Sequence, residues 1–104
     1  MKSAKGKTEE ILGKERAERI CEQYDISFLG LFGSHARGDF SDQSDIDLIV
    51  RFSKKKSLLD LVRLERMFSE ILGRKVDLLT ENSISPYLRD KIAVDLKVIY
   101  DQKR

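Results

Sequence analysis

Residues 33–50 read GSHARGDFSDQSDIDLIV, and the part of this stretch that decides the fold is its end, SDIDLIVRF at 44–52. The alternation is strict: Ile46, Leu48, Val50 and Phe52 fall on one face of a strand, and Asp45, Asp47 and Ile49 on the other. A carboxylate set among the aliphatic residues of a sheet is costly unless something neutralises it. Asp45 could cap the turn after Ser44, but Asp47 lies inside the strand, where a cap has no use. The pattern predicts a sheet covered by helices on one face, with a charged cleft on the other.

Downstream, KVDLLT at 75–80 repeats the arrangement, with Val76 and Leu78 alternating with Asp77. If both strands share one sheet, Asp45, Asp47 and Asp77 emerge on the same side. Neighbouring strands lie about 4.8 Å apart and alternate residues about 6.8 Å apart along a strand, so three such carboxylates can close around one or two cations. Magnesium suits them, because it is a hard ion that accepts carboxylate, water and phosphate oxygens. The chain has one Cys and one His, so a zinc cluster is not expected.

Upstream, ISFLGLF reads as a strand closed by Gly33, and FGSHARG puts Ser34 at the start of a short helix. Backbone N–H groups there would receive phosphate oxygens, Gly33 would let the backbone approach closely, and the Ser34 hydroxyl would add a donor. Capping and phosphate binding use the same geometry at Ser34. Arg37 reads equally well as a salt bridge to one of the acids or as a phosphate contact. His35 reads as a surface or stacked residue. A phosphate cradle, a pair of metal-binding acids and a third acid one strand later form the inventory for moving a phosphoryl-type group off a nucleoside triphosphate by a two-metal mechanism.

The remaining chain builds one domain around this core. A helix is expected from about Thr8, with Thr8 as cap and Ile11, Leu12, Ala17, Ile20 and Tyr24 as its stripe. SLLDLVRLERMFSEILG is the clearest helix, with Ser57 as cap, Leu58, Leu61, Val62, Phe68 and Leu72 inward, Arg63, Glu65 and Arg66 outward, and Gly73 as the stop. Pro86 opens a last helix through about Val94, and LKVIY adds a final strand. Residues 1–7 read as a flexible tail and residues 8–101 as the domain. Cys21 reads as a core thiol, and RFSKKK as a solvated strand exit that could also steer a triphosphate or an acidic partner.

A chain of 104 residues buries one core. With 40% hydrophobic and 37% charged residues it reads as a compact soluble domain rather than a disordered one, the strands and helices above make it α+β, and a net charge of +2 gives no strong pull toward polyanions. No basic stripe interleaved with aromatics is present, so direct DNA or RNA binding is not expected. The first twenty residues turn straight into a helical pattern and no long apolar run follows, which predicts an unexported, membrane-free, cytoplasmic protein.

GSHARGDFSDQSDIDLIV followed by LGRKVDLLT resembles the minimal nucleotidyltransferases of the DNA polymerase beta-like superfamily, whose signature is Gly-Ser, a short spacer and Asp-x-Asp on a strand. The resemblance spans roughly residues 8–101. It implies a mixed sheet with flanking helices, ATP as donor, pyrophosphate as leaving group and two magnesium ions. By match to the signature, Gly33, Ser34 and Arg37 would hold the nucleotide, Asp45 and Asp47 the metals, and Asp77 the catalytic metal and the incoming hydroxyl. Many relatives carry Arg at the position of His35. Single-domain members resemble the antitoxins of HEPN/MNT toxin–antitoxin pairs, which implies AMP transfer to a tyrosine of a helical HEPN-domain toxin. The alternative is a nucleotide-binding antitoxin, catalytically weak, that neutralises its partner by covering it. Transfer to an antibiotic is disfavoured, since after the sheet, the helices and the cleft are built no residues remain to enclose a small acceptor. A partner's surface would complete the site, with Tyr87, Leu88 and the lysine run as candidate docking residues, although Leu88 reads first as core.

Overall fold

The computed structural model describes residues 8–103; the expected tail, residues 1–7, lies outside them. Four strands form one mixed sheet in the order β3-β2-β1-β4, with β1 at Ile26–Phe32, β2 at Ile46–Phe52, β3 at Val76–Thr80 and β4 at Lys97–Asp101. β1 runs antiparallel to both β2 and β4, and β2 runs parallel to β3. A parallel pair needs a crossover, and α4, Leu58–Leu72, supplies it. The other helices are α1 at Thr8–Leu12, α2 at Lys14–Gln23, the single-turn α3 at Ser34–Arg37 and α5 at Pro86–Asp95.

Period two in β2 places its residues as the sequence requires. Ile46, Leu48 and Val50 join Leu29 and Leu31 of β1, Val76 and Leu78 of β3, and Ala17, Ile20, Cys21, Leu64 and Phe68 of the helices in the main core. Phe68 is fully buried, and cutting it to Ala would cost about 3–5 kcal/mol. Ile26 joins this core out of phase with β1, because the register shifts between Ile26 and Phe28. Cys21 is buried as expected, and its thiol is pushed up to about 12, chiefly by burial.

The opposite face is half covered. Ile49, which shares it with Asp47, packs under Ile84 and Ile92 together with Phe28, Phe32, Leu79 and Leu96. α5 thus lies on the acid-bearing side, because an isoleucine there needs its own cover. Asp47 and Asp77 stand at the other end of the strands.

Three local expectations need correction. The first helix breaks at Gly13, which sits at φ 82, where glycine is at home, so α1 and α2 are separate and Ile11 turns outward. In α4 the inward phase is set by Leu61, Leu64, Phe68 and Leu72; Val62 lies off that stripe, and Leu58 is 76% exposed in the first turn, where no described residue covers it. Glu65 is not a solvated outer residue: its carboxylate accepts from the Leu78 N–H at 2.9 Å, and Ser69 Oγ accepts from the Val76 N–H at 3.0 Å. α4 thereby satisfies the free edge of β3, which would otherwise be open to pairing with another chain. Ser57 caps α4 as expected, in a reciprocal box with Asp60.

Candidate active site

The acids are assembled by register. Asp47 is directly opposite Asp77 in the parallel pair and directly opposite Phe32 in the antiparallel one, so β2 holds its inner carboxylate between an aromatic and a second acid. Asp45 precedes the first residue of β2, and its Oδ2 lies 3.7 Å from Lys75 Nζ. Asp47 is half-buried, and its carboxyl is held above the usual aspartate range first by burial, then by the charges of Asp77 and Asp45, with Arg37 opposing. No hydrogen bond or salt bridge joins the Asp47 or Asp77 carboxylates to another described residue.

Gly33 closes the site from the other side. It lies at φ 79, and a Cβ placed there would collide with Asp47 Oδ2, so this position requires glycine for both its backbone and its neighbour. The following turn, α3, carries Ser34 half-buried and with its hydroxyl unbonded to other described residues. The strand that ends at Phe32 therefore delivers Gly33 and Ser34 onto the acids.

Arg37 departs from the salt bridge to the three acids that the sequence allows, whereas His35 is stacked as expected, though buried rather than on the surface. Arg37 pairs with Asp39 at 3.1 Å and with Asp95 of α5 at 3.0 Å, not with the three acids, and it acts on Asp47 through space. His35 is 8% exposed and stacks on Phe40 with ring centroids 4.2 Å apart. Its imidazole is held below the usual histidine range, first by burial, then by the nearby Arg74 charge, with a hydrogen bond to Ser44 and the charge of Asp45 opposing. Nothing local in the sequence marks Arg74, whose contacts join segments more than thirty residues apart.

The lysine run lies elsewhere. A cleft of about 580 Å³ at the far end of β2 is lined by Arg51, Lys54, Lys55 and Lys56, with Leu58 and Asn82. Lys56 Nζ is 2.8 Å and Lys54 Nζ 3.7 Å from the Asp25 carboxylate, so these cations are largely engaged. This cleft lies apart from Asp45, Asp47 and Asp77, none of which lines it. Of the proposed docking residues, Tyr87 is 73% exposed, and Leu88 is exposed rather than core.

Among the described residues no group of three or more His, Cys, Asp or Glu side chains is gathered as a ready metal cage. The donor set nevertheless fits magnesium, which dehydrates reluctantly and is usually held by one or two carboxylates together with substrate phosphates. Asp47 carries the fit: it is a half-buried hard-oxygen donor, held above its usual range by burial and then by neighbouring acids, with no salt bridge to a described residue. No described helix is long and apolar enough to cross a membrane.

Comparison with known proteins identifies the family and the fold. A protein of Methanocaldococcus jannaschii, provisionally named a protein adenylyltransferase, is 45% identical over 86 residues, covering 80% of this chain and 92% of its own length. A solved structure provisionally described as a minimal nucleotidyltransferase superposes with a TM-score of 0.71 at 32% identity, covering 81% of this chain and 86% of its own. A chain from a crystal structure of a toxin–antitoxin with AMP-PNP shares the fold, with a TM-score of 0.73 at 22% identity over 86% of this chain and 74% of its own. The family model for polymerase beta nucleotidyltransferases matches residues 15–104, and the chain belongs to that family.

Proposed function

We propose that residues 8–101 form one nucleotidyltransferase domain that transfers AMP from ATP to a hydroxyl on another protein, and that this transfer makes the chain an antitoxin. The observation that carries the reading is the Asp47–Asp77 register pair, with Asp47 set against Gly33, a backbone turn that admits no side chain. The adenylyltransferase name of the M. jannaschii relative supports AMP as the transferred group. The toxin–antitoxin neighbour supports a protein partner, and the family resemblance points to a tyrosine of a helical HEPN-type toxin as acceptor. Cytoplasm, where ATP is supplied, is the expected compartment.

In this reading Asp45, Asp47 and Asp77 hold magnesium, which would neutralise phosphate charge and lower the pKa of an acceptor hydroxyl. Gly33 and Ser34 present backbone and hydroxyl donors to the triphosphate. Arg37, already balanced between Asp39 and Asp95 beside the site, can exchange a carboxylate for a phosphate oxygen. Asp77, exposed on the edge strand, would orient the incoming hydroxyl. The exposed Tyr87 and Leu88 of α5, on the acid-bearing side of the sheet, are the proposed docking residues.

ATP labelled at the α-phosphate or at the γ-phosphate tests the reaction class. Incubated with magnesium and the product of the neighbouring reading frame, the α-label should pass to the partner and the γ-label should leave as pyrophosphate. Retention of the γ-label on the partner would show phosphoryl transfer instead. No transfer of either label, with ATP binding verified, would favour the weaker alternative of an antitoxin that acts by covering its partner.

A further inference from the structure

Between α3 and β2 the chain crosses residues 38–45, a loop with no regular structure that must deliver Asp45 to the acid face. Two side chains from outside, Arg74 and His35, converge on it, and its own Phe40 lies between them. Arg74 Nη1 donates to the carbonyl of Ser41 at 3.1 Å, of Asp42 at 3.0 Å and of Ser44 at 3.4 Å. Its guanidinium also lies 5.9 Å from the centre of the Phe40 ring, the ring on which His35 stacks with an interplanar angle of 14°. His35 Nε2 is 3.3 Å from the same Ser44 carbonyl. Ser44, one residue before Asp45, thus receives contacts from both His35 and Arg74. The next residues lock as well: the Ile46 N–H donates to the Lys75 carbonyl at 2.9 Å, and Lys75 Nζ approaches Asp45.

We propose that Arg74, with His35 and Phe40, is a positioning brace that fixes the 41–44 backbone and so presents Asp45 on the same side of the sheet as Asp47 and Asp77. A guanidinium suits such a brace, since Nη1 reaches the loop carbonyls while the planar group lies over the Phe40 ring, and a lysine ammonium, lacking that plane, does not reproduce the stacked geometry. The stacked His35 supports the loop from inside. The metal-positioning part of the inference rests on the nucleotidyltransferase reading; the loop-holding part does not.

The test compares wild type with Arg74→Met, Arg74→Lys and His35→Phe by amide hydrogen exchange and by calorimetry of ATP with and without magnesium. Arg74→Met should speed exchange at 41–46 about tenfold or more while leaving Leu29 and Leu31 of β1 protected, and should weaken magnesium-dependent ATP binding about tenfold with metal-free binding unchanged, as for the loss of a group that orients a metal ligand. Arg74→Lys should fail to restore either. His35→Phe, which keeps the stack and loses the Ser44 contact, should move both in the same direction by less, and it serves if Arg74→Met does not fold. Unchanged exchange at 41–46, full rescue by lysine, or a loosened loop with unchanged magnesium-dependent binding would each overturn the brace. If wild type shows no magnesium-dependent ATP binding, the functional reading fails, and the exchange comparison still decides whether Arg74 holds the loop.

Discussion

The two ends of β2 carry opposite charge and treat it in opposite ways. At its exit, Arg51 grips Glu81 through two hydrogen bonds of 2.7 and 3.1 Å, and Asp25 is paired with Lys56 and Lys54. These carboxyls are held below their usual ranges, Glu81 chiefly by its bond to Arg51 and Asp25 chiefly by its bond to Lys56. At the entry, Asp47 is held above its usual range, because burial and two further acids outweigh the single distant arginine. One strand neutralises its charges at one end and at the other leaves Asp47 without a paired cation, although Asp45 beside it stands 3.7 Å from Lys75 Nζ. Charge alone therefore does not mark a site; charge retained against its own electrostatic cost does.

The largest effect should come from removing that retained charge. Asp47→Asn is expected to lower AMP transfer about a thousandfold or more, the scale of losing a group that stabilises transition-state charge, measured as labelled AMP incorporated into the partner. The same variant should be more stable than wild type at neutral pH. The folded protein binds the Asp47 proton more tightly than the unfolded chain does, so the charged form is a penalty that is relieved on acidification. The gain in melting temperature should therefore shrink as pH falls from above the ordinary aspartate range toward it, and be gone below it. Glu81→Gln should show the opposite sign: it loses a stabilising charge at neutral pH, and its deficit closes as pH falls below the ordinary glutamate range. Thermal melts of both variants across pH would break the comparison if the two curves moved together.

Gly33→Val comes next. A left-handed φ costs a branched residue about 1–3 kcal/mol, and the new side chain would meet Asp47. Nucleotide affinity should collapse even where a folded fraction survives, and calorimetry on that fraction showing wild-type ATP binding would remove Gly33 from the site. Ser34→Ala deletes one donor and leaves the backbone groups, so it should weaken ATP binding by only about 1–2 kcal/mol. The smallest effect belongs to the basic end: Arg51→Met should cost under about 1 kcal/mol of stability, the range for a solvent-exposed pair, and leave ATP binding unchanged. A tenfold drop in transfer for that variant would mean that the basic end serves the reaction after all.

What the sequence made legible was what repeats at short range. The period of two in SDIDLIVRF and KVDLLT placed Asp47 and Asp77 on one face, and their register pairing follows once the strands are parallel neighbours. Ser57, Gly73 and Pro86 marked helix ends through local backbone chemistry. The contacts that escaped are those between distant segments. Arg74 looks like any surface arginine until β3 is laid beside the 41–44 loop, and Glu65 looks solvated until the edge of β3 is seen to need an acceptor. Leu58 follows the same stripe as Leu61, but only the folded arrangement shows that no described residue covers the first turn of α4. Helical periodicity runs through Gly13 without a visible break, because a positive φ is a property of the backbone and not of the hydrophobic pattern.

The central claim is that the opposed acids of β2 and β3 transfer AMP to a protein, and intact-mass spectrometry of the partner tests it most directly. After incubation with ATP, magnesium and the wild-type chain, the partner should gain mass in steps of about 329 Da, the increment fixed by nucleotidyl transfer, and Asp77→Asn should abolish the gain while the complex of the two proteins persists. An unmodified partner, under conditions where the wild-type chain is shown to bind ATP, would contradict the claim.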